Sequence, residues 1–123
     1  MNSVRTLAAA GLVLALATAC GAFGAHALKG TLAPDRLQLW ETAVRYQFFQ
    51  GLGLLGLGVA LRAADLPLWR TAAVLLVAGI VLFCGSLYAL SFQAPRLVGA
   101  LTPLGGIAWI AAWLAFALGA LKR

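Results

Sequence analysis

Four apolar runs, separated by one longer mixed stretch, 29–47, and two short polar breaks, 62–66 and 92–96, decide what this chain can fold into. The first, 7–28, is interrupted only by Thr18 and His26; the others cover 48–61, 67–91 and 97–121. About 20 helical residues at 1.5 Å each cross the roughly 30 Å hydrocarbon core of a bilayer, so three of the four runs have the length of a spanning helix. Composition agrees. The chain is 63% hydrophobic and 10% charged, against about 45–50% and 25% in soluble domains, and its mean hydropathy is +0.98. The expectation is an all-α, four-helix transmembrane bundle of two helical hairpins, one membrane domain over 1–123.

Punctuation residues set the helix ends. Gly30 suits the left-handed position just past a first helix, Pro34 and Pro67 suit first helical turns, and Asp65 can cap the third helix. The run 48–61 gives about 21 Å of helix, too short to span alone. The second helix must therefore begin near Trp40, which draws Glu41, Arg45, Gln47 and Gln50 to the membrane rim or below it. Leu37, Trp40 and Val44 share a helical face, predicting a short amphipathic helix in the interface before the second span. The expected spans are 7–28, 40–61, 67–91 and 97–121, with Pro103 near the start of the last, where a missing N–H costs least. Four spans put both termini on one side. Arg5, Arg62, Arg70, Lys122 and Arg123 lie there, against Lys29, Arg36, Arg45 and Arg96 opposite, a balance that predicts cytoplasmic termini.

The first run also has the outline of a lipoprotein signal, with Cys20 following Ala17-Thr18-Ala19. However, Ala17 stands where such signals favour Leu or Val, and the apolar run continues past Cys20, so an uncleaved span is expected. Gly11 with Ala15, Gly21 with Ala25, Gly56 with Ala60 and Ala115 with Gly119 stand four apart, the spacing that lets helices approach closely in lipid. Cys20-Gly21 and Cys84-Gly85 form a faint echo between helices one and three, a hint of a duplicated hairpin.

Nine Lys/Arg against three Asp/Glu give a net charge of +6, but the cations lie singly at the ends of apolar runs. That is the pattern of interfacial anchors that meet membrane lipid, and without a basic stripe on one face no nucleic-acid partner is expected. His26, Cys20 and Cys84 are the only soft ligands and lie at different helix depths, so no metal, haem or other cofactor is expected. Ser86, Ser91, Thr42 and Thr102 are available hydroxyls, but no spacing joins one of them to a base, so no enzyme activity is expected. The glycines of 51–58 match neither phosphate-binding fingerprint.

What remains is a polar rim at the mouth of the first hairpin. His26, the only histidine, is an ionisable group inside the first run, and Lys29 lies three residues on, on the same face. Glu41 and Arg45 stand at the favourable i, i+4 spacing for an ion pair. His26 is expected to bond a loop carbonyl or Glu41, and with Glu41, Arg45 and Gln50 to hold the hairpin closed. Tyr46, Gln47, Ser86, Tyr88 and Thr102 complete the candidate set, with Ser86 and Tyr88 expected at a helix interface and Tyr88 near the membrane surface.

Four stretches taken together, GAFGAHALKG (21–30), WETAVRYQFFQGLGLL (40–55), LFCGSLYAL (82–90) and LTPLGGIAWIAAWLAF (101–116), resemble the small YgdD/YwdK-type inner-membrane proteins, the domain of unknown function 423 family. The resemblance implies a four-helix protein of the bacterial inner membrane whose molecular function is not established. Its motif positions fall on Gly21, Phe23, Gly24, Ala25 and His26, on Tyr46 and Gln47, on Gly85 to Tyr88, and on Thr102, Pro103, Gly105 and Gly106. Such proteins usually carry a second His after the YQ-aromatic stretch, where this chain has Gln50; Gln keeps hydrogen bonding but does not titrate. The reading is a non-enzymatic membrane component or accessory subunit, self-associating or joined to a membrane-protein partner. The alternative is an oligomeric transporter of small solutes or ions that uses the rim as its entrance.

Overall fold

The computed structural model describes all 123 residues, Met1–Arg123, as four helices and short connections. Helix α1 is Ser3–Leu28, α2 is Pro34–Ala63, α3 is Pro67–Ser91 and α4 is Arg96–Lys122. The bundle consists of two antiparallel hairpins, α1 with α2 and α3 with α4, joined mainly through α2 and α3. Asn2 caps α1, its side chain accepting from Arg5 N at 2.8 Å, and Gly30 at φ 90° ends the turn after α1, a conformation that glycine takes without a Cβ penalty. Pro34 and Pro67 occupy first turns as expected.

Only 27 of the 123 residues are buried, and the outer surface carries large apolar side chains such as Leu12, Val81, Ile107 and Leu114 on every helix face turned outward. A surface of this kind suits lipid rather than water. Three helices, α1, α3 and α4, are long and apolar enough to cross a membrane. Helix α2 has the length, 30 residues or about 45 Å, but its N-terminal part, up to Arg45, carries Asp35, Arg36, Glu41 and Arg45.

Two expectations about helix starts change. The amphipathic segment ahead of the second span is not a separate interfacial helix; it is the first part of one unbroken α2, because Pro34 starts the helix and nothing after it removes a backbone bond. Asp65 does not cap α3. Its carboxylate instead forms a two-pronged pair with the Arg70 guanidinium, which leaves the α3 N-cap, Leu66, without a side-chain bond.

Close approach depends on glycines other than most of those in the spaced pairs. Gly11 and Gly56 face open space and Gly21 meets only Val44 at van der Waals distance, whereas Gly119 lies under the Trp69 indole. Spacing marks a face without saying which way it points. The tight contacts are elsewhere: a Cβ on Gly105 would stand 2.5 Å from Phe83 N and 2.8 Å from the Gly79 carbonyl, and one on Gly58 would stand 2.7 Å from Leu7. The core runs through all four helices, from Ala10 and Leu54 to Leu76, Cys84 and Trp109.

Candidate functional site

All four tryptophans repeat one device. Each lays its indole on a glycine of a facing helix and donates Nε1–H to an acceptor three or four residues earlier on that helix. Trp40 covers Gly24 and donates to Cys20 O (2.8 Å), Trp69 covers Gly119 and donates to Phe116 O (3.0 Å), and Trp109 covers Gly79 and donates to Leu76 O (3.2 Å). Trp113 covers Gly53 and donates to the Gln50 side-chain oxygen (3.0 Å). The absent Cβ admits the ring, and the bond satisfies an indole N–H that would otherwise lie unpaired in an apolar medium. At two of these seats the facing helix widens into a π turn, Gly24–Leu28 under Trp40 and Ile80–Cys84 beside Trp109. Neither π turn is foreseen from the sequence; both are local widenings of the kind that a single turn of i→i−5 bonding makes.

Around Trp40 lies the polar centre of the molecule. Gln47, 4% exposed, donates from Nε2 to Val13 O of α1 at 2.9 Å and accepts from the Tyr88 hydroxyl of α3 at 2.6 Å. One side chain on α2 thus ties three helices. The Tyr88 ring packs on Trp40 at 4.5 Å, with Phe92 and Phe23 closing the other sides of the indole. The Cys84 thiol donates to Ala43 O at 3.3 Å, and Cys20, also a free thiol, lies beside the Tyr88 hydroxyl. A second link joins α3 to α4, where the Ser86 and Thr102 hydroxyls bond each other while Ser86 also donates to Phe83 O at 2.9 Å. At the loop end, Arg36 of α2 donates to Leu90 O at 2.8 Å, setting a positive charge on the last turn of α3, where the helix dipole favours it. No buried side-chain nitrogen or oxygen lacks a partner.

The candidate residues therefore divide into two groups. The structure brings Gln47, Tyr88, Ser86 and Thr102 into interhelical bonds, and the half-buried Tyr88 stands in the last turn of α3. Tyr46 packs its ring on Phe83 (5.0 Å) and stacks on Trp109 (6.0 Å). Gln50 joins α4 through Trp113 and not the rim of the first hairpin. His26, Lys29, Glu41 and Arg45 are exposed and take part in no side-chain hydrogen bond. The Glu41–Arg45 ion pair is not made; Asp65–Arg70 is the ion pair of the molecule. A pair on an exposed face gains little and costs side-chain entropy, so favourable spacing does not compel it. The first hairpin is held by Trp40 and Gln47. Sequence reasoning passed over the tryptophans as donors, though an indole in the middle of an apolar helix must find an acceptor and a glycine on the next helix is where it fits.

The family described as protein of unknown function (DUF423) matches residues 20–106, a range that contains Trp40, Gln47, Tyr88 and Thr102. The chain is 44% identical over 108 residues to the UPF0382 membrane protein YwdK of Bacillus subtilis, covering 87% of this chain and 88% of that protein. It is 38% identical over 104 residues to the UPF0382 inner membrane protein YgdD of Escherichia coli K12, covering 85% of this chain and 79% of that one. A UPF0382 membrane protein of Staphylococcus epidermidis is similar at 42% over 107 residues, 87% of each. No solved structure matches.

Proposed function

This chain belongs to the DUF423 family of UPF0382 membrane proteins, and from that premise we propose a non-enzymatic component of the bacterial inner membrane that crosses it four times and serves as an accessory subunit. The E. coli relative is named an inner membrane protein, which supports the location. The fourth span is α2: Arg45 and Arg62 lie about 26 Å apart along its axis, enough for each to reach an opposite interface, and its polar side chain Gln47 points inward onto α1 and α3. With four spans the termini share a side, and the excess of Arg5, Arg62, Arg70, Lys122 and Arg123 there makes it the cytoplasmic one.

One observation carries the reading. The polar atoms inside the bundle are spent on one another, in the chain Val13 O, Gln47, Tyr88 and in the Ser86–Thr102 pair. A group engaged this way stabilises the helix arrangement, whereas a transport path needs polar groups that exchange partners with a passing solute. The test is solute and proton-linked flux in proteoliposomes of wild type and Gln47→Leu. The expected result is flux equal to that of empty vesicles for both, with a lower unfolding midpoint for the variant. Wild-type flux that a well-folded Gln47→Leu protein loses would replace this reading with a transporter working through Gln47 and Tyr88.

A further inference from the structure

Resting on the membrane reading above, we propose that the groove at the mouth of the first hairpin binds the headgroup of a zwitterionic phospholipid of the phosphatidylethanolamine class. The groove has a volume of about 220 Å³ and lies between Gly21 and Gly24 of α1 and Trp40 and Val44 of α2, with Glu41 and Arg45 on its wall. Its floor is low because the α1 side carries glycines: a Cβ on Gly24 would stand 2.8 Å from the Trp40 indole and one on Gly21 would stand 3.4 Å from Val44. The walls are apolar apart from one carboxylate and one guanidinium.

Those two charges are the second element of the argument. Glu41 and Arg45 share a helical face at a spacing where they could neutralise each other, yet they remain unpaired and exposed beside the groove. Neither charge has a partner within the chain, and a ligand bearing one anion and one cation would complete both. The order of the charges selects the ligand. Helix α2 enters the membrane from its Pro34 end, so Arg45 lies about 6 Å deeper than Glu41 along the axis. In a phosphoethanolamine headgroup the phosphate adjoins the glycerol and acyl chains, and the ammonium lies outward toward water. The guanidinium therefore meets the phosphate through paired N–H donors, and the carboxylate above it accepts from the ammonium. Below Arg45 the exposed faces of Phe49 and Leu52 continue down α2 as an apolar track for an acyl chain. Anionic phosphatidylglycerol would leave Glu41 facing a neutral or negative headgroup, and phosphatidylcholine has no N–H to offer it.

The experiment uses the full chain in nanodiscs made with equal parts of phosphatidylethanolamine, phosphatidylglycerol and phosphatidylcholine, followed by release into detergent and native mass spectrometry of retained lipid. Wild type is expected to retain phosphatidylethanolamine about tenfold over either other lipid, with that preference lost in Arg45→Gln and Glu41→Gln, each of which removes a charge-assisted bond. The charge-swapped double variant Glu41→Arg, Arg45→Glu keeps composition and net charge but reverses the order, and it is also expected to lose the preference. Both positions are exposed, so helicity and unfolding midpoint should match wild type and show that the variants are folded. Equal retention of phosphatidylglycerol or phosphatidylcholine, or a preference that survives the swap, would overturn the proposal. Failure of the chain to enter nanodiscs at all would instead overturn the membrane reading beneath it, so the two failures are distinguishable.

Discussion

Gln47 and Glu41 are six positions apart on one helix, and the molecule treats them in opposite ways. Gln47 is buried and uses both ends of its amide, to Val13 O and from Tyr88; Glu41 is exposed with the i, i+4 cation Arg45 beside it and no bond to it. The difference follows the medium. Inside the bundle no water competes, so an unpaired polar atom loses its full desolvation cost and the packing is built until every group is matched. At the rim, water and headgroups supply partners, and an intramolecular pair gains at most a fraction of a kcal/mol. Stability therefore resides in the neutral interior groups, while the charged rim contributes little to it.

The largest way to break that contrast is to push the interior apart. Gly105→Ala puts a Cβ 2.5 Å from Phe83 N and 2.8 Å from the Gly79 carbonyl, backbone atoms on the facing helix that cannot rotate aside. A destabilisation of about 3 kcal/mol, at the upper end of the overpacking range, is expected, read as loss of monodisperse protein or a lowered melting temperature in detergent. Gly106→Ala, one residue on with nothing within 4 Å of its Cβ, serves as the matched control and should leave the melt unchanged. Next in size is Gln47→Leu, which strands the Tyr88 hydroxyl and is expected to cost about 1–2 kcal/mol. Tyr88→Phe should cost less, and the double variant less than the sum of the two, because each single change leaves the other partner unsatisfied. Additive costs in that cycle would mean that Gln47 and Tyr88 do not share a bond.

The fold was legible because helix length is measured against bilayer thickness, a comparison that needs only the apolar runs and their punctuation. The starts at Pro34 and Pro67 and the stop at Gly30 were readable for the same reason: each reflects a backbone restriction local to one residue. The interior was not legible, because a helix that is apolar all round does not announce which side faces its neighbours. That is why Gly11 and Gly56 looked like packing glycines and face outward, while Gly79 and Gly105 carry the closest contact. It is also why Gln50 looked like a rim residue and instead meets Trp113 across the bundle. Among the candidate site residues, Gln47, Tyr88, Ser86 and Thr102 stand out in the sequence by polarity, but their partners depend on helix rotation. The expected Glu41–Arg45 pair failed for a different reason, since spacing makes a pair geometrically available and leaves the solvent to decide it.

A smaller effect sharpens the same point at the other end of the bundle, where an exposed pair does close. The bidentate hydrogen bond from Arg70 holds the Asp65 carboxyl below its ordinary range. A carboxylate whose pKa is lowered by folding contributes stability that is present above its unfolded value, about 3.9, and is lost as pH falls through the folded one. Melting temperature should therefore fall slightly below about pH 4 in wild type, and Asp65→Asn should remove that acid-limb dependence while lowering stability only slightly at neutral pH. The pair stands in solvent, so salt should shrink the difference further.

The smallest expected effect is the most telling for the rim. His26→Ala and Glu41→Gln remove two of the four residues that, by position in the sequence, looked responsible for closing the first hairpin, and both side chains are exposed and unbonded. Their unfolding midpoints should match wild type within about 0.5 kcal/mol, as for other surface substitutions. The seat that does close the hairpin is Trp40 on Gly24 with its bond to Cys20 O, so Trp40→Phe, which keeps an aromatic ring and deletes the donor, should exceed both rim variants in the same assay. A rim variant as damaging as Trp40→Phe would move the hairpin's clasp from the indole back to the charges, and with it the division between a stabilising interior and a weakly stabilising rim would fail.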